Sequence, residues 1–369
     1  VAMSAYRFVE KYAASFPLKL RTVKAPPRML INGNEALCLG ALLAGCRFVA
    51  GYPMTPTTPI LEWMAAHSKE YGIVVKHAED EIAAINMVIG AGLIGVRAMA
   101  PTSGGGFSLM VEALGLAGMT EVPIVVVEGQ RPGPSTGLAS RHEQGDLLFV
   151  LYASQGEFPR IVLAPATIEQ SFEAGYRAFN LAEKYQCPAI IITDAFLAHS
   201  PRALDMDALD FNVPMNRGAL LSDEELNKLT EPYKRHVFTE SGISPRALPG
   251  QAQAVYASSS DEHDEYGHIL EDAANRARMM EKRMHKLEVA RTEMRAPLRY
   301  GPQEAETTFL VWGSAYGPLR MAVDMLNAAG RSANIVQIMD IWPVPVDQVA
   351  SALHLSLIHI LTLPTNREV

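Results

Sequence analysis

A stretch rich in proline and threonine is the first place where the chain carries candidate chemistry. Residues 51–59 read Gly-Tyr-Pro-Met-Thr-Pro-Thr-Thr-Pro, between the apolar run 41–50 and a helical pattern. The prolines fix φ and remove backbone donors, while Thr55 and the neighbouring threonines supply hydroxyls. We predict a stiff strand-to-helix turn on the sheet edge where α/β proteins bind ligands. A helix start with proline in its first turn is the simpler alternative.

A second polar stretch, 130–146, directly follows the continuous apolar run 124–127. Arg131 lies between that run and two prolines, and a planar guanidinium on a stiff loop suits bidentate binding of a carboxylate. Thr136 and Ser140 add further donors to the same loop. An arginine that only satisfies loop carbonyls is the alternative. Because the loop follows a predicted strand, we expect it on the same sheet edge as the threonine-rich turn.

Three acidic residues, Glu79, Asp80 and Glu81, open a predicted helix made largely of small residues. Acidic side chains in a first helical turn favour the helix dipole, and that explanation requires no function. A buried carboxylate at such a position could instead hydrogen-bond a heterocycle nitrogen and tune its basicity. The position of each carboxylate in the fold decides between the two explanations.

The composition narrows the classes of function. With 369 residues, 49% hydrophobic and 20% charged, the chain is long enough for two well-buried domains. A net charge of -8 argues against nucleic-acid binding, and the apolar runs are too short for a transmembrane helix. The three cysteines form no C-x-x-C pair, which suits a reducing cytoplasm and predicts no metal site in this chain. Any redox metal would then belong to another chain.

The elements that must position these residues follow a strand-helix alternation from Met29 onward. The run 124–127 is continuously apolar, which is typical of a strand covered on both faces in a parallel sheet. We therefore predict an α/β fold with a doubly wound parallel sheet over 29–205. Asn34 is predicted to cap its first helix.

The rest of the chain is divided as follows. Residues 1–28 are predicted to be a connector, and 206–304 an extended segment that wraps over a surface or a partner. That segment ends in a charged helix over 273–295. A second, smaller α/β domain is predicted over 305–354. The final stretch, 355–369, resembles translated sequencing-adapter sequence, so we exclude it as a suspected artefact and expect the second domain to be truncated.

Seven motifs, in order, resemble the alpha subunit of 2-oxoacid:ferredoxin oxidoreductases, most closely the 2-oxoglutarate type. The similarity extends from about residue 30 to 353. The motifs are Gly51-Tyr52-Pro53-Met54-Thr55-Pro56, Glu79-Asp80-Glu81-Ile82-Ala83-Ala84, Thr102-Ser103-Gly104-Gly105-Gly106-Phe107, Gly133-Pro134-Ser135-Thr136-Gly137, Gln144-Gly145-Asp146, Gly242-Ile243-Ser244-Pro245-Arg246 and Trp312-Gly313-Ser314.

The resemblance implies a pyrimidine-type domain for thiamine diphosphate that completes its active site against a beta subunit. That partner would hold the diphosphate, Mg²⁺ and an iron–sulfur cluster. Glu81 matches the carboxylate that hydrogen-bonds the aminopyrimidine of the cofactor. Thr55 and Arg131 match the residues that hold the 2-oxoacid carboxylate, and Thr136 and Ser140 fall where coenzyme A, the co-substrate, is contacted.

The activity implied is oxidative decarboxylation of 2-oxoglutarate to succinyl-CoA, with electrons passed to ferredoxin. The same chemistry on pyruvate or branched-chain 2-oxoacids remains open, as does a non-catalytic assembly subunit of such a complex. The resemblance also implies that residues 1–28 are the tail of a preceding gamma-type domain. It likens 305–354 to a truncated transketolase C-terminal domain.

Overall fold

The computed structural model describes residues 2–12 and 24–353. The helices are α1 (Ala2–Tyr12), α2 (Gly33–Leu43), α3 (Thr58–Ala66), α4 (Ser68–Tyr71), α5 (Glu81–Leu93), α6 (Gly104–Met119), α7 (Leu147–Tyr152), α8 (Ile168–Tyr185), α9 (Ala195–His199), α10 (Asp223–Leu226), α11 (Ala273–Arg291), α12 (Tyr316–Ala328) and α13 (Val346–Leu353). The strands are β1 (Arg28–Ile31), β2 (Phe48–Gly51), β3 (Val74–His77), β4 (Ala98–Thr102), β5 (Val125–Gln130), β6 (Ile161–Leu163), β7 (Ala189–Asp194), β8 (Arg202–Asp205), β9 (Leu298–Tyr300), β10 (Thr307–Val311), β11 (Ala333–Gln337) and β12 (Asp340–Trp342).

The large sheet has seven strands in the order β12-β6-β7-β5-β4-β2-β3. The strands from β6 to β3 run parallel to their neighbours, and β12 pairs antiparallel with β6. Every residue of β4 and β5 is buried, as the continuous apolar run predicts. The carboxyl ends of β2, β4, β5 and β7 therefore meet at one edge of the sheet.

Helices cover both faces of the sheet because successive strand residues point to opposite sides. On one face, Val125 and Val127 pack in a cluster with α2, α3 and α8. On the other, Val126 packs in a cluster with Ile85 of α5 and Phe107 of α6. These side chains are fully buried, and the burial of each stabilises the fold by about 1.5–3 kcal/mol relative to leaving it exposed. The predicted doubly wound parallel α/β fold is confirmed.

The first helix of this domain begins with a cap that differs from the predicted one. Asn32 accepts a hydrogen bond from the Glu35 N–H, and the Glu35 side chain accepts one from the Asn32 N–H. The prediction that Asn34 is the cap is wrong. Asn34 is buried in the first turn of α2, where its Nδ2 donates to the Pro56 carbonyl at 2.9 Å. Helix α2 therefore holds the threonine-rich turn in place.

A smaller sheet, in the order β10-β11-β9, combines β9 from the end of the connecting segment with two strands that follow it, and α12 packs on it. The next strand, β12, pairs with β6 and so belongs to the large sheet. Arg177 of α8 donates two hydrogen bonds to Asp340 of β12, at 2.7 and 2.6 Å. The stretch predicted as a second domain thus contributes one strand to the first sheet. The boundaries at 29, 205 and 304 stay predictions.

The connecting segment 206–304 is mostly irregular apart from α10, α11 and β9. The predicted charged helix is α11, which ends at Arg291, four residues before the predicted end. Nothing is described for 13–23 or 354–369. The suspected artefact at 355–369 therefore lies outside the described residues and stays a prediction.

Helix α11 is held against the domain of the seven-stranded sheet by ion pairs to Glu121, a buried residue between α6 and β5. Lys282 Nζ lies 2.5 Å from Glu121 Oε1, and Lys286 pairs with Oε2. His236 Nδ1 lies 2.9 Å from Oε1. Burial acts to raise the pKa of Glu121, but the two lysines and His236 hold it well below its usual range. We call these four residues the lysine cluster.

Candidate active site

The threonine-rich turn lies at the carboxyl end of β2, as predicted. Its buried threonine is Thr57, whose Oγ1 lies 3.0 Å from both the Met54 and the Thr102 carbonyls. Thr57 therefore ties the turn to the end of β4, while Thr55 is only half-buried. The hydroxyl available to a ligand is that of Thr55 rather than that of Thr57.

Arg131 lies directly after β5 and contacts this turn. Its Nη1 donates to the Thr55 carbonyl at 2.8 Å, and its side chain is half-buried. The two residues predicted to bind one substrate are thus adjacent. A guanidinium has five N–H donors, and within 24–353 this carbonyl is the protein group that Arg131 hydrogen-bonds. The other donors are available for a carboxylate.

Glu81, the first residue of α5, points into the protein and is 4% exposed. The helix-cap role falls to its neighbour Asp80, whose Oδ1 accepts the Ala83 N–H at 2.6 Å. Glu81 Oε1 has no hydrogen-bond partner among the described residues. Burial raises the pKa of Glu81, and the charge of Asp80 adds to that shift. Of the three acidic residues, Glu81 is the one that is buried and has a carboxyl oxygen without a partner among the described residues.

A glycine at the start of α6 makes room for this carboxylate. A Cβ at Gly106 would lie 2.5 Å from Glu81 Oε1 and 2.2 Å from Thr102 Oγ1. Both distances are far below a van der Waals contact, so no side chain fits there. The start of α6 and Glu81 therefore form one small cradle at the end of β4.

Thr136 and Ser140 lie on the exposed part of the loop 131–146. The loop turns sharply at Gly137, which has a φ of 55°, and a Cβ there would lie 1.6 Å from the Pro132 carbonyl. The Leu138 N–H donates to that same carbonyl at 3.0 Å. The structure thus brings Thr55 and Arg131 into contact, and it leaves Thr136 and Ser140 open to solvent.

Comparisons with known proteins agree on one family. Residues 39–282 match the family described as "Pyruvate flavodoxin/ferredoxin oxidoreductase, thiamine diP-bdg". A 2-oxoacid:ferredoxin oxidoreductase subunit alpha from Sulfurisphaera tokodaii is 43% identical over 339 residues, covering 88% of this chain and 52% of that protein. The 2-oxoglutarate synthase subunit KorA of Archaeoglobus fulgidus is 34% identical over 325 residues, covering 87% and 83%. The chain belongs to the 2-oxoacid:ferredoxin oxidoreductase alpha-subunit family.

A solved structure is similar to this chain over nearly its full length. It is the 2-oxoglutarate:ferredoxin oxidoreductase from Magnetococcus marinus with 2-oxoglutarate, coenzyme A and succinyl-CoA bound. The TM-score is 0.85 at 32% identity, and the match covers 95% of this chain and 61% of that chain. The chain spans about half the length of the first curated relatives it matches. The predicted family is confirmed, and the roles of individual residues stay predictions.

Sequence reasoning missed a group of polar residues beneath the loop of this alpha-subunit chain, of which Glu128 and Asp194 are buried. Glu128 interrupts the apolar β5, and Asp146 ends the loop. Asp194, at the end of β7, accepts a hydrogen bond from Gln144 Nε2 at 3.2 Å and has His142 Nδ1 at 3.3 Å. That contact raises the pKa of His142. A glutamate directly after three valines, still within the strand, was the signal in the sequence.

No described helix combines the length and the apolarity needed to cross a membrane. The three cysteines are buried and free, and burial raises the pKa of each thiol. Their thiols are therefore poor nucleophiles, which separates them from the candidate chemistry at the sheet edge.

Proposed function

We propose that this chain is a catalytic alpha subunit that, with a beta subunit, oxidatively decarboxylates 2-oxoglutarate to succinyl-CoA and passes electrons to ferredoxin. The observation that carries the proposal is the placement of Arg131 against Thr55 at the sheet edge that also holds the buried Glu81. A non-catalytic assembly subunit would have no need of a buried carboxyl group that leaves one oxygen without a partner in the described chain.

The cradle at Glu81 fits the aminopyrimidine of thiamine diphosphate. Glu81 Oε1 is buried without a partner in the described chain, and Gly106 gives this carboxyl group the room that it occupies. A raised pKa lets Glu81 hold a proton that it can share with a ring nitrogen. When bound, the cofactor supplies the carbanion-stabilising chemistry that a 2-oxoacid needs to lose carbon dioxide.

The substrate side of the site is assigned to Arg131 and Thr55. A fixed guanidinium recognises a carboxylate through two parallel hydrogen bonds, and the contact with the Thr55 carbonyl orients it. Orientation of the 2-oxoacid against the cofactor is what such residues contribute to rate. Thr136 and Ser140, on the exposed face of the loop, are proposed to contact coenzyme A, which approaches from outside.

The partners follow from the family. Relatives are named as alpha subunits of ferredoxin oxidoreductases, so we propose a beta subunit that holds the diphosphate, Mg²⁺ and an iron–sulfur cluster, with ferredoxin as the acceptor. The buried, unpaired thiols fit the cytoplasm as the proposed compartment.

A second substrate class has its own support. Relatives that are 41–43% identical are named for 2-oxoacids in general, whereas the 2-oxoglutarate synthases are 33–34% identical. Pyruvate or branched-chain 2-oxoacids are therefore the alternative substrates.

Co-expression with a beta subunit of the same family tests the proposal, with a panel of 2-oxoacids and a viologen as electron acceptor. We expect viologen reduction that requires coenzyme A and is fastest with 2-oxoglutarate. Faster reduction with pyruvate would favour the second substrate class. If a folded, cofactor-loaded complex fails to reduce viologen with every 2-oxoacid of the panel, the catalytic assignment is overturned.

A further inference from the structure

Two carboxyl groups face each other beneath the loop that carries Arg131. Glu128, on β5, is fully buried, and neither of its oxygens has a hydrogen-bond donor within 24–353. Asp146, at the end of the loop, has a buried Oδ2 that likewise lacks a donor in that part of the chain. The two side chains are within hydrogen-bonding reach of each other. We call Glu128 and Asp146 the carboxyl pair.

A single proton, shared between Glu128 and Asp146, would give the carboxyl pair the hydrogen bond that its oxygens lack. Two ionised carboxylates side by side in a buried site repel each other and lack solvation, so one of them must be neutral. Strand alternation places Glu128 on the same face as Val126, toward α6 and α7. There Asp146 Oδ2 lies beside Gly104, at the start of α6, because a Cβ at Gly104 would be 2.6 Å from it. The helix dipole favours negative charge there, so the proton belongs on Glu128.

The other charged groups around the pair agree with this assignment. Burial raises the pKa of Glu128 well above its usual range, and the charges of Asp146 and Asp194 raise it further. For Asp146, burial raises the pKa, the hydrogen bond with Glu128 lowers it, and the charge of Glu143 raises it. His142, the nearby imidazole, is paired with Asp194 rather than with the carboxyl pair.

A backbone hydrogen bond of Asp146 also connects the carboxyl pair to the residue before the loop. The Asp146 N–H donates to Gln130 Oε1 at 3.1 Å, and Gln130 Nε2 donates to the Thr193 carbonyl at 3.2 Å. Gln130 immediately precedes Arg131. Both ends of the loop are therefore fastened at the end of β5.

We propose that Glu128 is a positioning residue whose neutral carboxyl group donates a hydrogen bond to Asp146 and so fixes the loop with Arg131 against Thr55. The consequence for 2-oxoacid binding rests on the proposed function of Arg131, whereas the shared proton does not. Ionisation of Glu128 would replace the hydrogen bond by repulsion between two carboxylates and loosen the loop.

The sign of the pH dependence follows from the direction of the shift. Because the pKa of Glu128 is raised in the folded protein, the proton and its stabilisation are fully present below the ordinary carboxyl pKa. They are lost as pH rises through the raised value. The Michaelis constant for the 2-oxoacid should therefore increase on the alkaline side.

The first test compares three variants in the assembled complex. Glu128→Gln keeps a neutral donor at every pH, so we expect a near-normal KM for 2-oxoglutarate at neutral pH and no alkaline increase. Glu128→Leu keeps the volume but removes the donor, and we expect about a tenfold increase in that KM with a smaller change for coenzyme A. Glu112→Gln removes an exposed carboxylate on α6 outside the pair and should retain both the KM and its pH profile.

The second test does not depend on activity. Infrared spectra of the complex in D₂O should show a protonated-carboxyl C=O band that is lost in Glu128→Gln and kept in Glu112→Gln. Hydrogen exchange of the loop amides should speed up at alkaline pH in the parent protein and not in Glu128→Gln. If both the infrared and the hydrogen-exchange results are as expected but no 2-oxoacid is turned over, the proposed function is wrong and the proposal for the carboxyl pair is supported.

Three outcomes would overturn the proposal. One is an infrared band unchanged by Glu128→Gln, and another is a Glu128→Leu complex with an unchanged KM for the 2-oxoacid. The third is an alkaline increase in KM that persists in Glu128→Gln.

Discussion

Two fully buried glutamates stand at opposite ends of the central strand β5 and have opposite surroundings. Glu121, before the strand, is paired with Lys282 and Lys286, and its pKa is held well below the usual range despite its burial. Glu128, inside the strand near its carboxyl end, has carboxylates for neighbours, and its pKa is raised. The same side chain is therefore a structural anion at one edge of the sheet and a neutral acid at the other.

The comparison shows where this fold tolerates a buried carboxyl group that has no cationic partner. At the amino-terminal edge, the lysine cluster compensates the buried charge and joins α11 to the domain. At the carboxyl-terminal edge, Glu81 and the carboxyl pair lack cationic partners among the described residues. Groups without such partners have perturbed protonation, which is common where a ligand binds. Substitutions at the first edge should thus change stability, and those at the second should change turnover.

The largest expected effect is on turnover at the carboxyl-terminal edge. Glu81→Gln should lower kcat of the assembled complex by roughly 10²- to 10⁴-fold, because it removes the carboxyl group assigned to the cofactor ring. Unfolding by urea should be little changed. Glu79→Gln alters an exposed acid two residues away and is the matched control. Near-normal kcat in Glu81→Gln would remove its assigned role.

The next effect is on stability at the amino-terminal edge. Glu121→Gln leaves two buried lysines without their counter-ion, so the free energy of unfolding should fall by about 3–5 kcal/mol. Urea denaturation of the purified chain measures this, with Glu112→Gln, an exposed acid on α6, as the control. A loss equal to that of the control would mean that the lysine cluster does not stabilise the fold.

The third prediction concerns Arg131, which is assigned to the substrate carboxylate at the carboxyl-terminal edge. Arg131→Ala should raise KM for the 2-oxoacid by about 10- to 100-fold, since it removes charged hydrogen bonds, and should leave KM for coenzyme A nearly constant. Arg131→Lys keeps the charge without the planar fork and should recover only part of the loss. Equal increases in both Michaelis constants would point to a collapsed loop instead of a carboxylate site.

The smallest expected effect concerns pH and the lysine cluster. Burial lowers the pKa of His236 to about 3, against the opposing hydrogen bond and charge of Glu121. The unfolded chain binds a proton below the ordinary histidine pKa and the folded chain does not, so stability falls as pH drops from about 6.5 toward 3. His236→Gln should reduce the stability difference between pH 7 and pH 5.5 by about 1 kcal/mol. An unchanged difference by urea denaturation would contradict a buried neutral imidazole.

Local patterns were sufficient for most of the sheet. The continuous apolar run 124–127 predicted a strand buried on both faces because each of its residues faces a helix layer. The cap of α2 was misplaced by two residues because Asn32 and Asn34 are equivalent as isolated caps. The reciprocal contact between Asn32 and Glu35 and the burial of Asn34 against Pro56 distinguish them.

The candidate site divides in the same way. The sequence by itself determined the alternation of strands and helices, the family, and the positions of Thr55, Arg131 and Glu81 at strand ends and a helix start, because these depend on neighbours along the chain. Only the tertiary structure decided that Glu81 rather than Asp80 is buried, that Arg131 contacts Thr55, and that Glu128 faces Asp146. Those contacts join residues far apart in sequence, and the burial that shifts a pKa arises only when both layers of helices have closed over the sheet.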